Sequence, residues 1–252
     1  MEQLSRLINY GNRTLELALF DDYCPNGLQI AGREQIDTLV TGVTASEMFL
    51  DAAIDAGADA VMVHHGYFWK GEPSPLVGMK YRRIKRLIDN NIALLAYHLP
   101  LDCHREFGNN AQLALRLDIT NTMQHAAGGV PNLLWQGELA SPRPATQFVQ
   151  FVSKQLDRPC LPVGKQDHDI RTVAWCSGGG QRFINEAAAL GVDAYISGEI
   201  SEQTTHEAQE QGLLYLAAGH HATERYGVQA YGAHLASRFD IEHRHIDIDN
   251  PA

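Results

Sequence analysis

Short apolar runs alternate with amphipathic stretches along the chain from Thr38 onward. The runs at residues 39–43 and 59–63 are typical of buried strands, and the stretch 46–56 between them is typical of a helix. Ser46 suits the start of that helix, and Gly57 suits its end because glycine adopts a left-handed conformation at little cost. Strands separated by helical crossovers predict an α/β fold with mostly parallel sheets.

The same alternation continues to the end of the chain. It predicts further helices at residues 79–90, 181–190 and 222–237, and further strands at residues 92–97, 172–176, 213–218 and 241–248. The last helix and strand could complete either half of the molecule.

Two segments of the chain resemble each other. Residues 38–65 align with residues 172–199 without a gap, at an offset of 134 and with six identities in 28 positions. Residues 94–98 then align with residues 216–220 at an offset of 122, because the first half carries an extra loop at residues 66–78. We therefore predict two α/β repeats, residues 1–125 and 126–252, divided within the Gly- and Pro-containing stretch 121–144.

Composition narrows the class of protein. The 252 residues include 30 acidic and 20 basic side chains, and the net charge of −10 disfavours a general nucleic-acid surface. No apolar run is long enough to span a bilayer, and residues 1–19 lack the pattern of a signal peptide, so we expect a cytoplasmic protein. The four cysteines have no CxxC spacing, which disfavours a zinc ribbon or a disulfide framework.

The twelve histidines are the unusual feature of this composition. Five of them follow three of the predicted strands, and two acidic residues lie close behind, giving the set His64, His65, His98, Asp102, His220, His221 and Glu224. Ligands of α/β proteins collect beyond the carboxyl ends of strands. Imidazole and carboxylate ligands suit Zn, Mn, Fe, Co or Ni, so these residues predict a metal site.

The number of candidate ligands favours two ions, because a single catalytic zinc uses three protein ligands. Glu224 is the natural bridge, and a two-metal centre favours hydrolysis as its chemistry. His98, His221 and Glu199 are candidates for catalytic proton transfer, although Glu199 could equally cap the next helix.

Three weaker features remain open. The turn Ser177, Gly178, Gly179 and Gly180 could bind a phosphate through its backbone N–H groups, but the sequence favours a glycine-rich tight turn without a ligand. The loop Tyr67–Lys70 could stack on a flat base or be buried at a subunit contact. The histidines expected to be ordinary are His104, His125, His168, His234, His243 and His245, with His206 intermediate.

Several motifs together resemble the NIF-three-like family, in particular its bacterial YbgI branch. They are Asp21–Gln29, Val61–Lys70, Ala96–Asp102, Gly108–Gln112, Ser197–Glu199 and Ala218–Glu224. The resemblance implies duplicated three-layer α/β/α repeats without an inserted extra domain. It also implies a dinuclear centre with the ligands His64, His65, Asp102, His220 and Glu224, with His98 beside the metals, in a toroidal homohexamer.

This family is commonly described as GTP cyclohydrolase 1 type 2-like. The resemblance thus implies a metal-dependent hydrolase that acts on a nucleotide or a related small heterocycle. Two alternatives stay open: the same centre could cleave a phosphoester or a peptide-like bond, or the protein could be a non-enzymatic metal-binding scaffold or regulator.

Overall fold

The computed structural model describes residues 1–252. The strands are β1 (Glu2–Gln3), β2 (Gly27–Ile30), β3 (Gln35–Ile36), β4 (Thr38–Thr44), β5 (Ala60–His65), β6 (Ala93–Ala96), β7 (Ile119–Ala127), β8 (Val130–Pro144), β9 (Leu161–Gly164), β10 (Asp169–Cys176), β11 (Ala194–Ser197), β12 (Leu214–Ala217) and β13 (Glu242–His245). The helices are α1 (Leu4–Thr14), α2 (Glu47–Asp55), α3 (Gly78–Asp89), α4 (Leu99–Cys103), α5 (Asn109–Arg116), α6 (Ala145–Gln155), α7 (Ile184–Ala189), α8 (Glu202–Glu210) and α9 (His220–Phe239). Contacts divide the chain into unit 1 (Met1–Leu101 and Gly227–Asp249) and unit 2 (Asp102–Tyr226 and Asn250–Ala252).

Unit 1 is a three-layer α/β/α unit. Its sheet has the order β13-β4-β5-β6-β2, and only the edge strand β2 runs antiparallel to its neighbour. Helices α2 and α3 cover one face, where Phe49 and Val61 lie in the apolar core. On the other face, Gly11 of α1 lies against Tyr97, whose ring packs edge-on against Tyr231 of α9 at 6.1 Å. This architecture confirms the predicted mostly parallel α/β fold.

Unit 2 repeats these layers around a more mixed sheet. Its order is β7-β8-β10-β11-β12-β9, and only β10, β11 and β12 are parallel to one another. Residues of α5 and α6 pack with Trp175 and Leu216 in one core, while α7 and α8 contact β11 and β12. The predicted helix at residues 181–190 is shorter, because Gly180–Phe183 forms a 3-10 turn before α7.

The strand registers confirm the first offset of the internal repeat. Leu39 pairs with Ala60 in unit 1, and the residues 134 positions later, Val173 and Ala194, pair in unit 2. An equivalent aspartate accepts backbone hydrogen bonds in each unit. Asp59 accepts them from the N–H groups of residues 37 and 38. Asp193, which lies 134 positions later, accepts them from the N–H groups of residues 171 and 172.

The second offset of the repeat is wrong by one residue. Ala60 pairs with Ala93 and Ala194 pairs with Leu214, so β6 corresponds to β12 at an offset of 121 instead of 122. His98 therefore corresponds to Gly219. The sequence favours an offset of 122 because leucine, alanine and histidine residues are identical in that alignment. Two short strands of apolar residues give the same hydrophobic pattern when they are aligned one residue apart.

The predicted divide between the repeats falls inside a β-hairpin. Residues 125 and 126 lie in β7, and Gly128 and Gly129 form its turn to β8 with φ values of 58° and 80°. Two consecutive left-handed residues are typical of a hairpin turn, so glycines here mark a strand connection and not a linker. The chain passes between the units within α4 and α9, and β13 returns to pair with β4 in unit 1. No helix is both long and apolar enough to cross a membrane.

Candidate metal centre

Three imidazoles gather at the carboxyl ends of two neighbouring strands in unit 1. His64 and His65 end β5, and His98 lies two residues beyond β6. One ring nitrogen from each of the three lies within 4.8 Å of the others, and the ring centroid of His64 is 4.7 Å from that of His65 and 5.0 Å from that of His98. The parallel register of β5 and β6 therefore brings these predicted residues together.

Each of these imidazoles is held through its Nδ1 atom. The Nδ1 of His64 lies 2.9 Å from the carbonyl oxygen of Tyr97, that of His65 lies 3.0 Å from the hydroxyl of Thr44, and that of His98 lies 2.8 Å from Oδ1 of Asp22. A carbonyl or carboxylate oxygen only accepts, so Nδ1 of His64 and of His98 carries a proton. In the neutral rings the lone pair is then on Nε2, as in imidazoles that bind a metal through that atom.

Asp22, which the sequence did not single out, is the side chain that holds His98. Its Oδ2 accepts hydrogen bonds from the backbone N–H of Leu99 and from the amide of Asn26, and Asn26 in turn accepts one from the backbone N–H of His98. Burial raises the pKa of Asp22, but the interaction with His98 and the hydrogen bonds from Asn26 and Tyr23 together outweigh burial and hold this pKa below its usual value. Cys24 lies nearby, and burial raises its pKa to about 12, so it stays a thiol near neutral pH.

Asp102 of unit 2 is a buried carboxylate that accepts hydrogen bonds from two neutral donors. Its side chain is among the buried polar groups, and Oδ1 accepts hydrogen bonds from the hydroxyl of Ser177 at 2.9 Å and from the amide of Asn109 at 2.8 Å. Ser177 is itself fixed, because its backbone N–H donates to the side-chain oxygen of Asn110. These contacts orient the carboxylate that follows His98 by four residues.

His220 and Glu224 meet on the first turn of α9, as residues four apart on a helix do. Nε2 of His220 lies 3.0 Å from Oε2 of Glu224, and Nδ1 lies 2.7 Å from Oε1 of Glu199. Burial alone would lower the pKa of His220, but these two carboxylates outweigh it and raise the pKa to about 9. The hydrogen bond from His220 also lowers the pKa of Glu199. This arrangement gives the candidate proton-transfer residue Glu199 a direct contact with a candidate ligand.

The glycine turn after β10 packs directly against Glu224. Gly178 has a φ of 56°, and a Cβ atom there would lie 1.9 Å from Oε1 of Glu224. The backbone N–H of Gly178 donates to the hydroxyl of Thr223, and that of Ser177 is also used within the protein. Phosphate binding by this turn stays a prediction, with Gly179 and Gly180 as its remaining candidate donors.

The family of the protein follows from sequence comparison. The sequence model of the Duf34/NIF3 (NGG1p interacting factor 3) family matches residues 2–251. The chain belongs to the Duf34/NIF3 family. This result confirms the resemblance inferred from the motifs.

Relatives within the family match over their whole lengths. A protein of Allochromatium vinosum named GTP cyclohydrolase 1 type 2 homolog is 53% identical over 252 residues, which are 100% of this chain and 98% of the relative. A protein of Escherichia coli K12 with the same name is 50% identical over 251 residues, covering 99% and 98% of the two chains.

Solved structures agree with the fold. The structure of protein ybgI, described as of unknown function, has a TM-score of 0.94 and 48% identity and covers 100% of both chains. A structure from Thermus thermophilus has a TM-score of 0.89 and 32% identity, again over 100% of both chains.

In this Duf34/NIF3 chain, the aromatic loop after β5 contributes one ring beside the imidazoles. The indole of Trp69 packs edge-on to His98 with centroids 5.0 Å apart, and its N–H donates to the carbonyl of Gly66. Tyr67 instead belongs to the core, where its hydroxyl donates to the carbonyl of Ala45. The loop therefore places Tyr67 in the core and Trp69 beside His98.

Most of the other histidines form hydrogen bonds within the protein. His221 is buried at the start of α9, and His206 lies on α8. Hydrogen bonds to protein groups hold His104, His125, His168, His234, His243 and His245. Each of these six therefore has a structural contact, and the expectation that none of them binds a metal stays a prediction.

Proposed function

We propose that this Duf34/NIF3 protein is a cytoplasmic metal-dependent hydrolase that binds two divalent metal ions per subunit and acts on a nucleotide or a related heterocycle. The residues that we assign to the metals are His64, His65, Asp102, His220 and Glu224, with Glu224 as the bridge. His98, His221 and Glu199 serve proton transfer. The names of the relatives support the substrate class.

The observation that most supports metal binding is the anchoring of the imidazoles in unit 1. His64, His65 and His98 are all held at Nδ1, by a carbonyl, a hydroxyl and a carboxylate respectively. Such partners fix the orientation of metal-binding histidines and raise their basicity. The nitrogen donors of these residues fit a divalent ion such as Zn, Fe, Mn, Ni or Co.

The buried carboxylates of unit 2 support the same conclusion. The side chains of Asp102 and Glu224 are only 4% and 3% exposed. Removing an ionised carboxylate from water is costly unless a cation or strong hydrogen bonds compensate for it. Hydrogen bonds from the Ser177 hydroxyl and the Asn109 amide orient the Asp102 carboxylate, and carboxylate oxygens suit a divalent cation.

The chemistry divides between the metals and the side chains. Divalent ions supply Lewis acidity and lower the pKa of water, which permits hydrolysis near neutral pH. Glu199 is 46% exposed and contacts Nδ1 of His220, so it can pass a proton between that imidazole and solvent. Trp69 provides a flat apolar surface beside His98 against which a heterocycle can pack.

Metal loading and GTP ring opening test this proposal. The full chain is stripped with a chelator and reloaded with each of the five metals in turn, and bound metal per chain is measured by mass spectrometry. The loaded protein is then incubated with GTP, and chromatography with mass spectrometry detects the ring-opened formamide or released formate. We expect two ions per chain and turnover that Glu224→Gln abolishes, whereas Glu210→Gln, a carboxylate change on α8, retains both.

Three outcomes would contradict the proposal. Fewer than two bound ions at saturation would reject the dinuclear centre. Cleavage of chromogenic phosphoesters without any ring opening of GTP would identify a phosphoesterase instead. Two bound ions with no turnover on either substrate, together with loss of a bound protein partner in Glu224→Gln, would identify a metal-binding scaffold.

We also propose that the protein assembles as a homohexamer. Helices α2 and α3 contact each other in unit 1, and the exposed apolar side chains on or beside them include Met48, Val77, Met79 and Ile88. Exposed apolar groups in one region commonly mark protein interfaces. Light scattering should give about six times the 27.9 kDa chain mass, and a monomer would reject this assembly.

A further inference from the structure

A carboxylate contacts Nδ1 of two of the histidines that follow strands in this protein. We infer that Asp22 is a positioning residue, which holds His98 so that its Nε2 joins the nitrogens of His64 and His65 in one metal-binding cluster. This inference rests on the metal binding in the proposed function. It makes His98 a metal-binding imidazole in place of the proton-transfer role proposed above, and it gives Asp22 a role that neither the motifs nor the relatives' names assign.

The contacts of Asp22 account for the orientation of His98. The Asp22 side chain is 3% exposed, and its Oδ1 lies 2.8 Å from Nδ1 of His98. Its Oδ2 accepts the backbone N–H of Leu99 at 2.9 Å, and Asn26 accepts the backbone N–H of His98 at 2.7 Å. One loop therefore fixes both the backbone and the ring of His98, so the ring cannot turn over without losing a charge-assisted hydrogen bond.

The second carboxylate and imidazole pair indicates that this arrangement serves the metal. His220 follows β12, the counterpart of β6, and its Nδ1 contacts Glu199. His98 and His220 do not occupy equivalent positions of the two repeats, because they differ by one residue from the strand alignment. The carboxylates that contact them are not equivalent either: Asp22 lies 76 residues before His98, and Glu199 lies 21 residues before His220. Inheritance from one ancestral repeat does not explain these two pairs, whereas a need for oriented, basic imidazoles does.

A purely structural role for Asp22 makes a different prediction. Oδ2 also accepts the amide of Asn26, so the carboxylate could simply hold its own loop. In that case its removal would weaken metal binding whether or not residue 98 is a histidine. If Asp22 acts through His98, its removal has no further effect once His98 has been replaced.

The test is a double-mutant cycle on the full chain with cobalt(II) as the probe. Wild type, Asp22→Asn, His98→Gln and the double variant are titrated with cobalt in competition with a chromophoric chelator, and the visible absorption bands of the bound ion are recorded. We expect Asp22→Asn to weaken binding by about 10- to 100-fold and to shift the bands. The double variant should bind no more weakly than His98→Gln alone.

The matched control is Asp21→Asn, which removes the same charge from the neighbouring exposed position. It should leave affinity and spectrum unchanged. Nitrogen NMR of His98 in the metal-free wild type gives a readout that needs no variant to fold, and it should show the proton on Nδ1. A proton on Nε2 would overturn the inference.

The remaining outcomes separate this inference from the proposed function. Equal cobalt binding by wild type and Asp22→Asn, or an equal loss caused by Asp22→Asn with and without His98, would overturn the role of Asp22 alone. Absence of cobalt binding by wild type would overturn the metal-dependent function and, with it, the role that depends on it.

Discussion

Raising the pH from 7 to 9 should lower the free energy of unfolding of the metal-free protein, because the imidazole of His220 loses its proton. His220 lies between Glu199 and Glu224, and their carboxylates outweigh the effect of burial and raise its pKa to about 9 from an ordinary value of 6.5. A pKa that is raised in the folded state stabilises that state while the group is protonated. This contribution is therefore fully present below pH 6.5 and is lost as the pH rises through 9.

The size of the effect follows from the two pKa values of His220. Each unit of difference corresponds to about 1.4 kcal/mol, so the protonated imidazole contributes about 3 kcal/mol to the free energy of unfolding at low pH. The linkage relation then gives a loss of about 2 kcal/mol between pH 7 and pH 9. The imidazole is only 29% exposed, so solvent screening leaves most of this effect in place.

Urea unfolding in the presence of a chelator, at pH 7, 8 and 9, measures this loss. His220→Gln lacks the titrating group, so its stability should fall by about 2 kcal/mol less than that of wild type over the same range. Other titrating groups are common to both proteins and cancel in the difference. An equal fall in wild type and His220→Gln would refute the reasoning, as would a wild type that becomes more stable relative to the variant as the pH rises.

Three further predictions concern single contacts. Gly178→Ala should lower the affinity for a divalent metal by about tenfold or more, because its Cβ would lie 1.9 Å from the Glu224 carboxylate; Gly179→Ala, with its nearest neighbour at 3.7 Å, should leave metal titrations unchanged. Asp193→Asn should lower the free energy of urea unfolding by about 2 kcal/mol, because a charged acceptor of two backbone N–H groups is lost, and a change below about 0.5 kcal/mol would contradict this account. Ser46→Ala should cost about 1 kcal/mol in the same assay, because the hydroxyl caps α2, and unchanged stability would show that the cap contributes nothing.

Local sequence signals predicted the elements of the fold well where periodicity and caps agreed. Ser46 caps α2 as expected, and Gly57 takes the left-handed conformation at its end. The repeat at an offset of 134 holds in the strand registers because a buried parallel strand must keep its pairing. The correspondence of β6 with β12 differs by one residue from the predicted one, because four apolar residues carry no alternation that could fix the alignment.

The candidate site was predictable only where its residues follow strands. His64, His65 and His98 could be grouped because parallel strands end at the same edge of a sheet. Asp22 could not be placed beside His98, because 76 residues separate them and the loop that carries it has no periodicity. The sequence indicates only a glycine-rich turn that could bind a phosphate, and the close packing of Gly178 against Glu224 is visible only in three dimensions.

The pairing of β13 with β4 has a consequence for synthesis on the ribosome. In unit 1, β4 is covered on one side by β5 and on the other by β13, and β13 begins about 200 residues after β4 ends. At a translation rate of ~5–20 residues per second, the edge of β4 that pairs with β13 stays unpaired for about 10–40 s until β13 has been synthesised. An uncovered strand edge is a template for aggregation, so chaperone binding to the nascent chain would be most useful during this interval. Unit 2 is almost continuous in the chain and can complete its own sheet before β13 emerges.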